Sequence, residues 1–164
     1  MTGQDLASMY EFSYFALNRN LNELTHDDSV FIPEPSGNCI NWVLGHIISA
    51  RGTMLLLSGA GAPIFTHEEA AAYQRGSAAM KEGDPGMDLA LLKSALEESQ
   101  KKLVPALQAL SDEALAAPVP EKYKRPPLTG SVGDALTRLC YHEGYHNGQI
   151  GILRRLAGKE GAIR

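Results

Sequence analysis

Cysteine is nearly absent from this chain, occurring only at Cys39 and Cys140 among 164 residues. Two cysteines without CxxC spacing build no disulfide scaffold, which suits a reducing compartment, and each reads as a small buried apolar residue. Basic residues are also few: 15 Lys and Arg against 19 Asp and Glu leave a net charge of -4. The cations are scattered, so the basic stripe that a phosphate backbone demands is missing and nucleic acid is excluded as an expected partner. No run of about 18 uncharged apolar residues appears, and MTGQDLASMY lacks a charged leader followed by an apolar stretch. A cytoplasmic protein with no membrane partner is therefore expected. Strand-like alternation, internal repeats and low-complexity tracts are missing too.

What remains is helical. The hydrophobic content of 44% suffices for one core, so a single domain over 1–164 is expected. Residues 3–25 place Leu6, Tyr10, Tyr14, Leu17, Leu21 and Leu24 at steps of three and four behind Thr2, a good N-cap. The prolines and glycine of SVFIPEPSGN then predict an extended connection. A second helix over 39–58 follows Asn38 as N-cap; it is apolar on both faces, which predicts a central position. Between 63 and 86 one short helix fits from Thr66 to Gln74, read as a cap over one end. The third long segment, 86–110, carries a stripe of Leu89, Leu92, Leu96, Leu103, Leu107 and Leu110, with a kink expected at Pro105. Residues 111–130 hold Pro118, Pro120, Pro126 and Pro127 and read as a long connection with a solvated basic loop at Lys122, Lys124 and Arg125. The fourth segment, 132–157, opens on a capping box of Ser131 and Asp134 and stops at Gly158. Four long helices predict an all-α four-helix bundle, in which facing side chains can build a metal site.

Chemistry concentrates in YHEGYHNGQ. His142 and His146 stand four apart on one helix face, close enough for two imidazoles to reach one ion. Of the remaining histidines, His26 lies near a helix end and His67 in the cap, whereas His46 is mid-helix in the central segment and is the best third ligand. On the helical wheel His46 shares a stripe with Cys39, Trp42, Ser49 and Thr53; Cys39 is about 10 Å away along the axis, too far to be a fourth ligand. Three ligands leave a position open for water or substrate, the arrangement of catalytic zinc sites. Gln149, one turn beyond the pair, is placed to orient a ligand. The same residues spell HExxH, in which Glu143 would be the general base of a zinc peptidase. Against that reading, Gln149 and Ile152 stand where the extended motif needs glycine and histidine, and Glu160 lies past Gly158.

The segments NWVLGHIISAR and YHEGYHNGQIGILRR, with FTHEEAAAYQRGS and LSDEALAAP between them, resemble the DinB-like (YfiT-like) metalloenzymes over almost the whole chain. The resemblance implies a bundle of up-down-down-up order with long crossovers, a homodimer, and a metal triad of His46, His142 and His146. It also implies a reaction class, because relatives include transferases and isomerases that use a low-molecular-weight thiol. The reading that follows is an enzyme whose divalent ion, zinc or alternatively nickel, activates a small thiol or water against a small-molecule substrate. Trp42 and Tyr145 shape its pocket, Gln149 supports a ligand, and Glu143 is a candidate proton shuttle. The alternatives are a non-catalytic bundle that binds metal or a small molecule, and a bundle whose histidines have no function.

Overall fold

The computed structural model describes residues 1–35, 37–126 and 128–162. Pro127 of the expected connection and the last two residues of the 1–164 domain lie outside them. Seven α-helices and a short 3₁₀ turn, but no strand, are found among the described residues.

Four helices are long because each has a cap, an apolar stripe and a stop. Helix α1, Gly3–Leu21, starts on a capping box of Thr2 and Asp5. It ends four residues short of the expectation, because Thr25 and Asp28 form a second capping box and open a separate short helix, α2, His26–Val30. The extended connection begins only after it. Helix α3, Ile40–Ser58, has Cys39 as its N-cap with no side-chain bond, which corrects the assignment of Asn38. It stops where Gly59 adopts φ 74°, a left-handed conformation that glycine tolerates without a Cβ clash. The cap helix α4 is shorter than its sequence signals, His67–Ala72, behind a Thr66–Glu69 capping box.

Helix α5, Leu89–Gln108, starts behind Asp88 and runs on through Pro105. The connection that follows is not featureless: Ser111 caps α6, Asp112–Ala116, and a 3₁₀ turn spans Glu121–Tyr123. Helix α7, Val132–Leu156, opens on the expected Ser131–Asp134 capping box. Gly158 at φ 82° lets the Lys159 amide bond back to Arg154, which closes the helix.

The long helices pack α1 on α5 and α7, and α3 on α5 and α7. Leu6 clusters with Leu103 and Leu107, while Leu17 and Leu21 cluster with Leu92 and Leu96, so α1 and α5 run in opposite directions. Tyr10 Oη donates to Leu136 O at 2.8 Å and Asn20 Nδ2 to Asn147 Oδ1 at 2.8 Å, so α1 and α7 run together. Helix α3 passes the length and apolarity of a membrane span, yet 72% of that window is buried within the fold. It is the core helix that its two apolar faces predict. Both cysteines are buried, and burial pushes the Cys140 thiol up to about 11.

Candidate metal centre

Helices α3 and α7 bring His46, His142 and His146 together. The potential ligand atoms of the three lie within 4.8 Å of one another. Their Nε2 atoms converge: His142 Nε2 is 3.2 Å from His46 Nε2 and 3.1 Å from His146 Nε2. Nitrogens sharing a tetrahedral zinc at Zn–N of 2.0–2.1 Å would stand about 3.3 Å apart, close to the separations of His142 from each of its two neighbours.

The outward nitrogens decide what this cluster can do. His46 Nδ1 donates to the Tyr73 carbonyl at 2.7 Å, and His146 Nδ1 donates to Gln149 Oε1 at 2.6 Å. Each acceptor is an oxygen without a proton to give back, so both rings carry hydrogen on Nδ1 and present a lone pair at Nε2. His142 Nδ1 is buried without a hydrogen-bond partner among the described residues. A proton on His142 Nε2 can serve one neighbouring lone pair at a time and leaves the other unpaired. A cation at the common point satisfies all three together, and this is the donor set that suits zinc, nickel and similar ions.

Electrostatics agree. Burial, with the two neighbouring imidazoles adding to it, pushes His142 down to about 4, and burial also lowers His146. Both rings are thus held neutral, the form that ligates metal. The surroundings complete a shaped site: Trp42 stacks on His46 with ring centroids 4.9 Å apart and planes 9° from parallel. Tyr145 meets the His146 ring edge-on at 5.0 Å, and Gln149 Nε2 donates to Tyr145 Oη at 3.4 Å. The structure therefore groups His46, His142, His146, Trp42, Tyr145 and Gln149.

It does not bring Glu143 into that group. Both of its carboxylate oxygens point to the bundle interior, where Arg51 Nε and Nη2 donate to them at 2.8 and 2.7 Å and Ser13 Oγ donates at 2.7 Å. Arg51 and Glu143 are 0% and 1% exposed. Arg51 Nη1 donates to Ser99 Oγ and Gln100 Oε1, so four of the five guanidinium N–H groups are engaged. Burial opposes the Arg51 charge, but Glu143 outweighs it and holds the guanidinium protonated more firmly than usual. The proton-shuttle expectation for Glu143 is corrected accordingly, and the HExxH peptidase reading loses its base. Sequence reasoning missed Arg51, although a lone cation inside INWVLGHIISARGTMLLL signals a buried partner. It missed Tyr73 as well, whose contribution is a backbone oxygen.

A helical bundle whose paired core helices present three convergent imidazoles is the class that fold and site define. Within that class the chain belongs to the DinB superfamily, whose profile matches residues 9–150. A solved structure of a conserved protein from Enterococcus faecalis is similar to it throughout, with a TM-score of 0.70, over 97% of this chain and 99% of that one. At 17% identity that likeness speaks for the fold alone. No curated protein matches the chain.

Proposed function

We propose that this protein is a metal-dependent enzyme that holds a divalent ion, zinc or alternatively nickel, on His46, His142 and His146. The observation that carries the reading is the convergence of three Nε2 atoms with two of the rings locked by Tyr73 O and Gln149 Oε1. A metal held there supplies Lewis acidity, which lowers the pKa of a thiol or water at the position the three ligands leave open. The reaction proposed is thiol-dependent S-transfer or hydrolysis on a small molecule in the cytoplasm. Trp42 and Tyr145, which flank the His46 and His146 rings, shape the pocket, and Gln149 fixes the orientation of His146.

Metal content of tag-free protein, measured by mass spectrometry before and after His142→Ala, tests the site. One ion per chain that disappears in the variant supports it; unchanged stoichiometry removes it. Calorimetry with glutathione and related thiols tests the chemistry, since a metal-loaded protein that binds none of them is not a thiol transferase. Commitment of Glu143 to Arg51 favours a second reading, a bundle that takes up metal or a small molecule without turnover, because the carboxylate next to a ligand is not free for proton transfer. A panel of electrophiles and esters offered to the zinc- and nickel-loaded protein separates the two.

A homodimer is part of the proposal. Phe12 and Phe15 on α1 are 72% and 58% exposed, and Tyr141 and Ile152 on α7, which packs beside α1, are exposed as well. Light scattering should give twice the chain mass, reduced to one by Phe12→Asp with Phe15→Asp. A monomeric wild type refutes the pairing.

A further inference from the structure

Gly45 precedes His46 on α3, and the place of its missing side chain is taken by the ring of Tyr73. A Cβ on Gly45 would fall 2.3 Å from Tyr73 Cδ1 and 2.5 Å from Cε1 and Cγ. Atoms do not share that space, so only glycine lets the ring lie flat against α3. The ring is fastened at its far end: Tyr73 Oη donates to Asn41 Oδ1 at 3.2 Å and accepts from the Met87 amide at 3.1 Å. With the ring seated, the Tyr73 carbonyl accepts the Nδ1 proton of His46. A few residues on, Ser77 Oγ accepts from Trp42 Nε1 at 3.0 Å, and Trp42 is the ring stacked on His46.

The crossover between α3 and α5 therefore does more than connect them. Its stretch from 73 to 77 reaches the His46 imidazole directly through a carbonyl and indirectly through the Trp42 ring, while the two residues before His146 on α7 are an exposed tyrosine and a glycine with open space around its Cβ position. We propose that Gly45 and Tyr73 are positioning residues of the metal centre, and that seating of this crossover on α3 and occupancy of the three-histidine site are one coupled equilibrium. The inference rests on the metal reading. Coupling of this kind is reciprocal: an ion bound to His46 stabilises the seated crossover by the same factor by which the seated crossover tightens the ion.

Two measurements test it. Zinc affinity is measured by competition with a chromophoric chelator for wild type, Gly45→Ala and Gly148→Ala; the last places the same substitution on α7 at a position with nothing within 4 Å. Backbone hydrogen exchange over 70–77 is followed in wild type with and without zinc. Gly45→Ala should bind zinc about 10- to 100-fold more weakly, as expected when a ligand loses its outer hydrogen-bond partner, and Gly148→Ala should match wild type. Zinc should slow exchange over 70–77 in wild type. Should Gly45→Ala fail to fold, the exchange measurement still decides. Wild-type affinity in a folded Gly45→Ala, or exchange over 70–77 that ignores zinc, overturns the proposal while leaving the metal site standing. A wild type that takes up no zinc or nickel overturns the metal reading itself, and this inference with it.

Discussion

Replacing Glu143 by leucine is the most informative single perturbation, because two accounts of that residue predict opposite results. As the base of an HExxH motif, Glu143 would matter for turnover and little for folding. As placed here, it neutralises a guanidinium that has no access to water, with both partners 1% exposed or less. Leucine roughly preserves volume, so the cost is not a cavity. Arg51 would lose two charge-assisted bonds and keep those to Ser99 and Gln100, a positive charge held only by neutral acceptors. Breaking a buried pair in this way costs about 3–5 kcal/mol. Ser13 loses its acceptor as well, adding about 1 kcal/mol. A domain of this size holds about 5–15 kcal/mol in total, so the variant should lie close to unfolding. With a urea m-value of about 2 kcal/mol/M, the midpoint should fall by about 2 M. Removing the other charge too, in Arg51→Met with Glu143→Leu, should restore most of the loss, because the desolvation penalty leaves with the pair. Ser99 would still bond the Leu96 carbonyl. A single variant that loses less than about 1 kcal/mol, or a double variant as unstable as the single, refutes the reasoning.

Acid should weaken the metal-free protein through His142. Its folded imidazole is held down at about 4 by burial, against about 6.5 in an unfolded chain, so the unfolded state takes up the proton first. The stability it contributes is complete above about pH 6.5 and is lost as pH falls toward 4; urea midpoints from pH 7.5 to 4.5 should show this slope and His142→Asn should flatten it, whereas identical slopes would exclude His142 as the source. Gln149→Ala removes the acceptor of the His146 Nδ1 proton and should weaken zinc binding about 10- to 100-fold in a chelator competition, with unfolding midpoints unchanged. An affinity equal to wild type would mean that the ring is oriented by packing against Tyr145 instead.

The long helices were legible because their signals are local. Stripes at steps of three and four, and an acidic or hydroxyl residue three positions before its partner, are written within one turn of chain; Ser131 and Asp134 behave as they read. Where two such signals compete at close range the pattern misleads: the apolar stripe carried α1 on to Leu24, yet Thr25 and Asp28 cap a new helix and the chain turns before it. The histidine pair on α7 was equally local. His46 was reachable by elimination among the three histidines outside that pair, since His26 lay near a helix end and His67 in the cap. What was not legible is which polar residues meet one another across the bundle. Helix geometry alone puts Glu143 about 100° round from His142, but only the Arg51 partner on α3 shows that this direction is the core. Tyr73 was hidden more deeply, because it works through a backbone oxygen and a glycine that any helix could have carried.

The two polar clusters on α3 and α7 are adjacent, and their adjacency gives the buried pair a reason to exist beyond stability. His46 and Arg51 are five residues apart, about 7.5 Å along α3, while His142 and Glu143 are neighbours on α7. The ligands meet between α3 and α7, and the ion pair lies beside them in the core. A leucine-rich interface tolerates sliding of one helix past another, since apolar contacts are non-directional. Metal ligation does not: distances hold to within about 0.2 Å, whereas a one-residue slip moves an imidazole by about 1.5 Å. A bidentate guanidinium–carboxylate fork has one geometry and fixes the register that convergence needs. If that is its role, Arg51→Met with Glu143→Leu should regain most of the wild-type stability in urea and yet bind zinc more weakly than wild type, by about tenfold or more. Equal affinity in a fully stable double variant would show that apolar packing alone sets the register, and that the pair contributes nothing to the site.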